Sequence, residues 1–345
     1  MNFNFFQNKK ILITGACGSI GSSVILELIK NYKFKVLRAL SNDENGLFGL
    51  SQKINPSNLN FNQMMKSEKV RLICGDIRNY SRCLEASLGV DIIIHAAAMK
   101  HVPICEYNPS EAFQTNIVGT ENICKAAVAN NVKKVIFIST DKAVNPQTLM
   151  GTTKLMGEKI VLNSNEFSPK NKTMFCCIRF GNVIGSRGSV LEIFKSQIEN
   201  DNKLTLTDEK MTRFFIDLSF AAKRILKVVN EFRGGEIFII KSMNSFKIID
   251  LANVLIEYYG KKTKIKKIGI RKNEKIFEEI LTDKEFEYAV ENKYFIILNN
   301  NYTSINNSKF YGAKKIKDKK NLKSNNKFSL TKKDILNFLK VNKLV

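Results

Sequence analysis

The chain has 345 residues, of which 44% are apolar and 25% are charged. This composition excludes a wholly disordered protein and predicts one large or two moderate folded domains. No apolar run reaches the roughly 18 residues that a membrane-spanning helix needs, and the amino terminus lacks the pattern of a signal peptide. We therefore expect a cytoplasmic protein without membrane contact.

The formal net charge is +23, a value typical of proteins that bind nucleic acid. Much of the excess lies in a lysine- and asparagine-rich stretch, residues 299–327, with few aromatic side chains. We interpret it as a compositional bias and expect no nucleic-acid partner. The seven cysteines form no Cys-x-x-Cys pair and there are two histidines, so buried thiols and no metal site are predicted.

The apolar segment 10–14 predicts a first strand that runs into a glycine-rich turn and then an apolar helix. Glycines at every third position allow a tight turn, close approach of a pyrophosphate and close packing of helix on strand. The strand before and the helix after are the context that a dinucleotide site requires. The predicted cofactor-binding residues of this turn are Gly15, Cys17, Gly18, Ser19, Ile20 and Gly21.

The second predicted strand covers residues 34–40 and ends about twenty residues beyond the glycines. In dinucleotide-binding folds, a residue at this distance binds the adenosine ribose. An acidic residue there favours NAD, and a basic residue favours the phosphate of NADP. Asp43 and Glu44 favour NAD, whereas Ser41 or Arg38 could serve a phosphate, so both cofactors stay open. The candidate ribose-binding residues are Ser41, Asn42 and Asp43.

Two further apolar segments, residues 70–74 and 90–95, predict the third and fourth strands. Their continuous apolar character is typical of a parallel sheet that is buried on both faces. We interpret His95 as a packed strand-end residue rather than a base. The residues predicted to lie along the cofactor after these strands are Asp76, Ile77, Ala96, Ala97 and Ala98.

A helix is predicted over residues 111–130, and a fifth strand, residues 135–138, then ends at the sequence Ser-Thr-Asp-Lys. Lys154 follows in a predicted helix, and residues 173–178 predict a sixth strand. Hydroxyl, carboxylate and amine groups thus meet beyond the carboxyl ends of the strands, where open parallel sheets bind ligands. The alternation predicts an α/β fold with a doubly wound parallel sheet of the Rossmann type.

After Gly181 the pattern becomes irregular, which predicts a smaller C-terminal lobe that binds substrate. We predict a dinucleotide-binding domain over residues 1–185, completed by parts of 214–245. The substrate-binding lobe is predicted over residues 186–300. A basic C-terminal extension with a terminal helix is predicted over residues 301–345.

Several longer strings are more specific than these motifs: residues 14–21, 95–103, 106–109, 139–146, 179–190, 211–215 and 234–238. Over about residues 8–297 they resemble the extended short-chain dehydrogenase/reductases, specifically the bacterial nucleotide-sugar 4,6-dehydratases of polysaccharide biosynthesis. The resemblance implies UDP-N-acetylglucosamine as substrate and a tightly bound NAD or NADP that is regenerated in each cycle. It also implies a homo-oligomeric lyase that serves capsule, lipopolysaccharide or another surface glycan.

In the reaction that this resemblance implies, a hydride leaves sugar carbon 4, water is eliminated across carbons 5 and 6, and the hydride returns to carbon 6. Thr140 would hydrogen-bond the carbon-4 oxygen, and Asp141 would protonate the departing carbon-6 hydroxyl. Lys142 would remove the carbon-5 proton, and Lys154 would hold the nicotinamide ribose. A lysine can serve as a base because desolvation or a neighbouring cation lowers its pKa.

One position departs from the superfamily pattern Tyr-x-x-x-Lys. Met150 occupies the place of the catalytic tyrosine, and a thioether takes no proton at neutral pH. We interpret Met150 as the mark of a subfamily, which leaves Asp141, Lys154 or a tyrosine from elsewhere to deprotonate the carbon-4 hydroxyl. The alternatives are a nucleotide-sugar 4-epimerase and a non-catalytic dinucleotide-binding protein.

The resemblance also implies contacts with the nucleotide sugar, for which the rigid guanidinium fork suits the diphosphate. In the loop 269–275, Asn273 stands where the family usually has glycine. Whether carbon 5 is inverted is not encoded in these motifs. The implied substrate-binding residues are Lys100, His101, Asn182, Arg187, Ser189, Arg213, Arg271 and Glu274.

Overall fold

The structure is a computed structural model that describes residues 4–54, 69–168, 172–200, 203–299, 311–319, 322–326 and 330–345. Its strands are β1 (Lys10–Thr14), β2 (Val36–Ser41), β3 (Val70–Cys74), β4 (Ile92–His95), β5 (Lys134–Ile138), β6 (Met174–Arg179), β7 (Asn182–Val183), β8 (Lys203–Leu206), β9 (Thr212–Ile216), β10 (Glu236–Ile240), β11 (Asn244–Lys247), β12 (Lys264–Lys267), β13 (Val290–Glu291), β14 (Phe295–Asn299) and β15 (Lys314–Lys315).

Helices cover both faces of the large sheet and part of the second lobe. They are α1 (Ser19–Asn31), α2 (Glu44–Ile54), α3 (Tyr80–Ser87), α4 (Val102–Tyr107), α5 (Pro109–Phe113), α6 (Gly119–Ala129), α7 (Leu149–Asn163), α8 (Val190–Asn200), α9 (Leu218–Glu231), α10 (Ile248–Tyr259), α11 (Asp283–Tyr288) and α12 (Lys332–Val341). Among the described residues, none of these helices combines the length and the apolarity needed to cross a bilayer.

The predicted α/β class with a doubly wound sheet is confirmed. The large sheet has the order β15-β13-β14-β10-β6-β5-β4-β1-β2-β3. Strands β3 to β10 of this order pair in parallel, and β14, β13 and β15 form an antiparallel edge. Strand order reverses between β1 and β4, which is the crevice where such folds bind ligands.

A second lobe lies beyond β6. It contains the sheet β11-β9-β7, the pair β12-β8 and helices α8, α10 and α12. Phe215 of β9 stacks on Phe246 of β11 with ring centroids 4.1 Å apart. Ile335 and Leu339 of α12 are fully buried in the same apolar cluster. The terminal helix therefore packs into this lobe.

Two features differ from the sequence expectations. Strands β13 and β14 join the large sheet, although both fall within the span predicted as the substrate lobe; the domain bounds themselves stay a prediction. The helix predicted over residues 111–130 is divided by one π-helical turn, Gln114–Val118, between α5 and α6. Such turns are rare and often occur at functional sites, and this one contains the buried Asn116.

Candidate active site

In the glycine-rich turn between β1 and α1, two glycines lie too close to neighbouring backbone atoms to carry a side chain. Gly15 has φ +63°, and a Cβ added there would lie 2.6 Å from the amide nitrogen of Ala97. A Cβ at Gly21 would lie 2.2 Å from the carbonyl oxygen of Gly15. Only glycine fits at these two positions, and α1 begins directly afterwards at Ser19. The turn therefore fits a dinucleotide pyrophosphate, whose charge a helix amino terminus favours.

The other predicted residues of this turn surround the same entrance. The Cys17 thiol points to the carbonyl oxygen of Asp43 at 3.7 Å, and burial raises its pKa. Ile20 packs against the main core. Ala96 and Ala97 also pack there, and Ala98 is half-buried. These small side chains leave room above the end of β4.

His95 belongs to a buried chain of hydrogen bonds. Its Nδ1 lies 2.6 Å from the Thr14 hydroxyl and its Nε2 lies 3.1 Å from the Thr120 hydroxyl. Because Thr120 donates its proton to the carbonyl of Asn116, it must accept the Nε2–H of His95. Burial lowers the pKa of His95 to about 3. The imidazole is therefore neutral and structural, in agreement with our interpretation of it as a packed residue.

At the end of β2, Asp43 is occupied as a helix cap. Its carboxylate accepts the Gly46 amide at 2.8 Å at the start of α2, and its own amide donates to the Ser41 hydroxyl. Arg38 donates to two backbone carbonyls at the end of α3, at 2.7 and 2.9 Å. One nitrogen of the Arg38 guanidinium thus holds the end of α3, and a role of Arg38 towards a cofactor phosphate stays a prediction.

Asp76 lies just after β3, where the sequence predicts the adenine. Its two carboxylate oxygens accept the amide and the guanidinium of Arg78 at 2.7–2.9 Å. Burial acts in the opposite direction, but these bonds and a further one from Asn42 hold the pKa of Asp76 below its ordinary value. Ile77 is buried, and its carbonyl accepts the side-chain amide of Asn122. At this edge of the cleft, the Asp76 carboxylate is held in place by its ion pair with Arg78.

Lys154 lies in α7, beneath the end of β5. Its ammonium donates to the carbonyl of Ile138 at 2.6 Å and lies 3.9 Å from the ring centroid of Phe137. Burial lowers the pKa of this lysine to about 8. A lysine whose pKa is near neutral pH is compatible with the role that the resemblance implies, which is to bind the ribose and to lower the pKa of neighbouring groups.

Met150, one helical turn before Lys154, is 4% exposed. It packs with Cys105 and Ala112 in a small apolar cluster of their own. Burial raises the pKa of Cys105 to about 11, so the thiol stays protonated. The position that usually carries the tyrosine base is therefore part of an apolar contact in this chain.

Three chain segments meet around the ammonium group of Lys142. We call the residues that they contribute the Lys142 cluster: Thr140, Asp141, Lys142, Asn182 and Glu278. The Lys142 ammonium donates to Asp141 at 3.0 Å and to the Asn182 amide oxygen at 2.6 Å, and lies 3.5 Å from Glu278. The Thr140 hydroxyl donates to Asp141 Oδ1 at 2.8 Å. A hydroxyl, two carboxylates and an amine thus share a single site.

The charged groups of this cluster shift one another's pKa values. Burial alone would lower the pKa of Lys142, but Asp141 and Glu278 outweigh it and raise that pKa. Burial raises the pKa of Glu278. Among the described residues, Asp141 Oδ2 and Glu278 Oε2 are buried without a hydrogen-bond partner. The Lys142 ammonium therefore lies between two carboxyl groups, each of which has one oxygen without a hydrogen-bond partner among the described residues.

Arg213 of β9 borders the cluster and is 5% exposed. Its guanidinium donates to the carbonyl of Lys275 at 2.9 Å and lies 3.6 Å from Glu278 and 3.7 Å from Glu274. The arginine thus fixes the loop that carries Glu274. Asn273 in this loop has φ +64°, which asparagine tolerates better than most residues. The exchange of the usual glycine for asparagine therefore preserves the turn.

Arg271 is the exposed member of this loop. It lies 4.0 Å from Glu274, and its side chain is 54% exposed. A guanidinium with so loose a partner can turn towards a ligand, since an exposed ion pair of this length contributes little stability.

Arg187 occupies a different place from the one expected of a substrate contact. Its amide donates to the Ser19 hydroxyl at 3.0 Å, its guanidinium donates to the carbonyl of Cys17, and it lies 3.8 Å from Asp43. The Lys100 ammonium donates to the Arg187 carbonyl at 2.7 Å. Arg187 therefore covers the glycine-rich turn, on the dinucleotide side of the cleft.

The loop that carries Arg187 also brings together the remaining predicted contacts. A Cβ at Gly188 would lie 2.6 Å from the His101 ring, so the two are in contact. The Ser189 hydroxyl is buried without a partner among the described residues. Burial lowers the pKa of both Lys100 and His101. These groups line the opening between the two lobes.

Sequence reasoning missed Glu278 and Asn116. Glu278 lies in the string that follows Glu274, but its distance along the chain from Lys142 hid the contact. Asn116 accepts the Met99 amide at 2.8 Å and donates to the Thr153 hydroxyl at 3.0 Å. A polar residue on the buried side of a predicted helix was the available signal.

The fold and cleft define the extended short-chain dehydrogenase/reductase class. Residues 11–300 match the family described as "Polysaccharide biosynthesis protein". A UDP-N-acetylglucosamine 4,6-dehydratase (inverting) of Campylobacter jejuni is 42% identical over 294 residues, which cover 84% of this chain and 83% of the relative. A UDP-glucose 4-epimerase of Rickettsia bellii is 37% identical over 316 residues, covering 90% of this chain and 89% of that protein.

Among solved structures, Pen from Bacillus thuringiensis superimposes with a TM-score of 0.87 at 37% identity and covers 98% of both chains. The protein belongs to the polysaccharide-biosynthesis family of nucleotide-sugar short-chain dehydrogenase/reductases, as the sequence motifs predicted. Dehydratases and epimerases both occur among its relatives.

Proposed function

We propose that this protein is a UDP-N-acetylglucosamine 4,6-dehydratase that serves surface-glycan synthesis. The observation that carries the proposal is the Lys142 cluster, because elimination of water requires acid and base groups that a simple exchange of configuration at carbon 4 does not. The relative of Campylobacter supports the same substrate. The glycine-rich turn fits NAD or NADP, and Asp43 with Arg187 above it leaves both cofactors open.

When bound, a nicotinamide dinucleotide supplies an acceptor for the carbon-4 hydrogen and returns it to carbon 6. The chain's own residues handle the protons. In the overall reaction the proton of the carbon-4 hydroxyl leaves as water together with the carbon-6 hydroxyl, while the carbon-5 proton is removed and replaced. A residue that takes the first proton and delivers it to the departing carbon-6 oxygen thus balances the reaction.

Asp141 suits this task. Its Oδ1 accepts from Thr140 and Lys142, and its buried Oδ2 has no partner among the described residues. Thr140 can accept the carbon-4 hydroxyl proton while it passes its own to Asp141, and Asp141 then protonates the departing oxygen. This route needs no tyrosine, so Met150 is compatible with activity.

The test is incubation with UDP-N-acetylglucosamine followed by mass spectrometry of the product. We expect the mass of the sugar to fall by one water. An unchanged mass with altered configuration at carbon 4 would instead support the second candidate, a nucleotide-sugar 4-epimerase, which the Rickettsia relative favours. Unaltered substrate despite bound dinucleotide would support a non-catalytic protein.

We also propose that the protein acts as a cytoplasmic homo-oligomer. Ile104, Tyr107 and Phe113, on the consecutive helices α4 and α5, are 54%, 86% and 48% exposed. Neighbouring apolar side chains of this size supply a surface that a second subunit can cover.

A further inference from the structure

Glu278 has no role in the sequence motifs and lies in the segment between the substrate loop and α11. It is 3% exposed, and glutamates are rarely buried to this degree unless they are paired. Its Oε1 lies 3.5 Å from the Lys142 ammonium and 3.6 Å from Arg213 Nε, and its Oε2 has no hydrogen-bond partner among the described residues. A buried carboxylate with an unpaired oxygen is costly, so its retention here suggests a chemical task.

The proposed dehydration makes a demand on Lys142 that its surroundings oppose. A base must be neutral to take the carbon-5 proton, whereas two carboxylates hold this ammonium in its charged form. Its proton must therefore go to a neighbour before or while the carbon-5 proton arrives. The candidate acceptors that face the ammonium are Asp141, Asn182 and Glu278.

Two of these acceptors are excluded. The Asn182 amide oxygen is too weak a base to hold a proton at neutral pH. Asp141 is already required to carry the proton from the carbon-4 hydroxyl to the carbon-6 oxygen, and a carboxylate holds one proton at a time. Glu278 is the remaining neighbour.

We propose that Glu278 receives the proton that Lys142 gives up, so that the two residues act together as the base for carbon 5. This inference rests on the proposed dehydratase function. Glu278 acts through Lys142 and does not touch the sugar.

The step balances without any further reactant. One N–H bond of Lys142 breaks as an O–H bond forms on Glu278, and the freed amine lone pair takes the carbon-5 proton. The electron pair of the C5–H bond then expels the carbon-6 oxygen, which Asp141 protonates. Reversal of the transfer returns the proton to carbon 5. Burial favours the neutral acid form of Glu278, which assists this exchange.

The charges around Glu278 agree with an acceptor that can change its protonation state. Lys142, Arg213 and Lys275 stabilise its carboxylate, whereas burial and Asp141 favour the protonated form. The charged groups lie on three parts of the chain: Asp141 and Lys142 follow β5, Arg213 lies in β9, and Lys275 lies in the loop 269–275. A carboxyl group balanced in this way can gain and lose a proton within a catalytic cycle.

A segment beyond the family match holds Glu278 in place. The Glu278 amide donates to the Ser324 hydroxyl at 2.9 Å, and the Ser324 amide donates to the Glu278 carbonyl at 2.8 Å. Ser324 is 1% exposed, and its hydroxyl lies 2.8 Å from that of Thr212. Thr212 precedes Arg213, so one serine bonds both the main chain of Glu278 and the strand beside it.

The test compares Glu278→Gln with Glu279→Gln. Glu279 is the adjacent carboxylate, but it pairs with Lys323 and Asn145 outside the cluster. Each protein is incubated with UDP-N-acetylglucosamine in deuterated water from pH 6 to 9. Exchange at carbon 5 is followed by NMR, and carbon-4 oxidation is followed by the absorbance of reduced nicotinamide in a single turnover.

We expect Glu278→Gln to slow carbon-5 exchange by at least about 100-fold at every pH, while carbon-4 oxidation and the melting temperature stay near those of the parent. Glu279→Gln should behave as the parent does.

Three results would overturn the proposal. Exchange near the parent rate, or an acidic limb moved to lower pH, would mean that Glu278 only raises the pKa of Lys142. Loss of oxidation together with exchange would indicate a structural role. A parent protein that neither exchanges carbon 5 nor releases water would refute the proposed function itself, which is a separate outcome.

Discussion

The two ends of the cleft are built in opposite ways. At the glycine-rich turn, Gly15 and Gly21 are in contact with nearby backbone, and a short local sequence determines the shape. At the Lys142 cluster, the decisive groups come from distant segments and interact by charge. Shape at the first end follows from local chain geometry, whereas protonation at the second end depends on tertiary packing. Substitutions at the two ends should therefore fail in different ways.

The largest effect is expected at the charged end. Asp141→Asn keeps the size of the side chain but can neither take the carbon-4 hydroxyl proton nor protonate the carbon-6 oxygen. We expect the rate of water release to fall by about 1000-fold, within the usual range for a general acid–base group. The amount of bound dinucleotide should stay unchanged. Steady-state assays by mass spectrometry measure the rate.

Asp217→Asn is the matched control for this variant. Asp217 caps α9 by accepting the Phe220 amide at 2.7 Å, and asparagine caps a helix about as well. Its activity should remain that of the parent. Water release by Asp141→Asn within about threefold of the parent rate would remove Asp141 from the proposed proton route.

A substitution at the glycine end should act on cofactor retention instead. Gly21→Ala places a methyl group 2.2 Å from the Gly15 carbonyl oxygen, so the turn must open. We expect the purified variant to lose its bound dinucleotide and its free energy of unfolding to fall by about 1–3 kcal/mol. Absorbance of the released nucleotide and denaturant unfolding give the two values.

Gly49→Ala is the control, because nothing lies within 4 Å of a Cβ there and the residue is inside α2. Alanine should stabilise this helix by about 0.5–1 kcal/mol without loss of dinucleotide. Full retention of dinucleotide by Gly21→Ala would contradict the tight turn described here.

A further prediction concerns the dependence of stability on pH, through the buried Lys154. Its folded pKa is about 8, against about 10.4 for an unfolded lysine. Between these pH values the unfolded chain binds more protons, so the stability of the parent relative to Lys154→Met should rise with pH. The full cost of burial is present below pH 8, and up to about 3 kcal/mol is recovered by pH 10.4.

Denaturant unfolding of both proteins across this window measures the difference. Lys159→Met, at an exposed lysine of the same helix, serves as the control and should show no such rise. A difference between the parent and Lys154→Met that is independent of pH would mean that the buried lysine is not forced towards neutrality.

Local sequence predicted the sheet and the glycine-rich turn, because strand period and glycine spacing act over a few residues. It also placed Asp141 and Lys142 correctly at the end of β5. It did not predict that Arg187 crosses to the glycine-rich turn or that Glu278 faces Lys142. Those contacts depend on how the second lobe packs, and no periodicity in the chain encodes that packing.

The same limit explains the misassigned elements. The π-helical turn at Gln114–Val118 arises where the helix packs on α7 and Asn116 bonds to Met99 and Thr153. The amino-acid composition of residues 111–130 is equally compatible with a continuous α-helix, so the sequence did not predict the interruption. Similarly, the apolar sequence of β14 indicates a strand, but only its pairing with β10 shows that this strand belongs to the large sheet.

The bond between Ser324 and Glu278 has a consequence for protein engineering. Chimeras within this family are most simply joined near residue 300, where the recognised region ends. Such a graft would leave every residue of the family match intact and yet exchange the serine that bonds the main chain of the buried Glu278. Donor tails should therefore be chosen for a hydroxyl at this position, since a swapped terminus would otherwise retune the chemistry of an unaltered active centre.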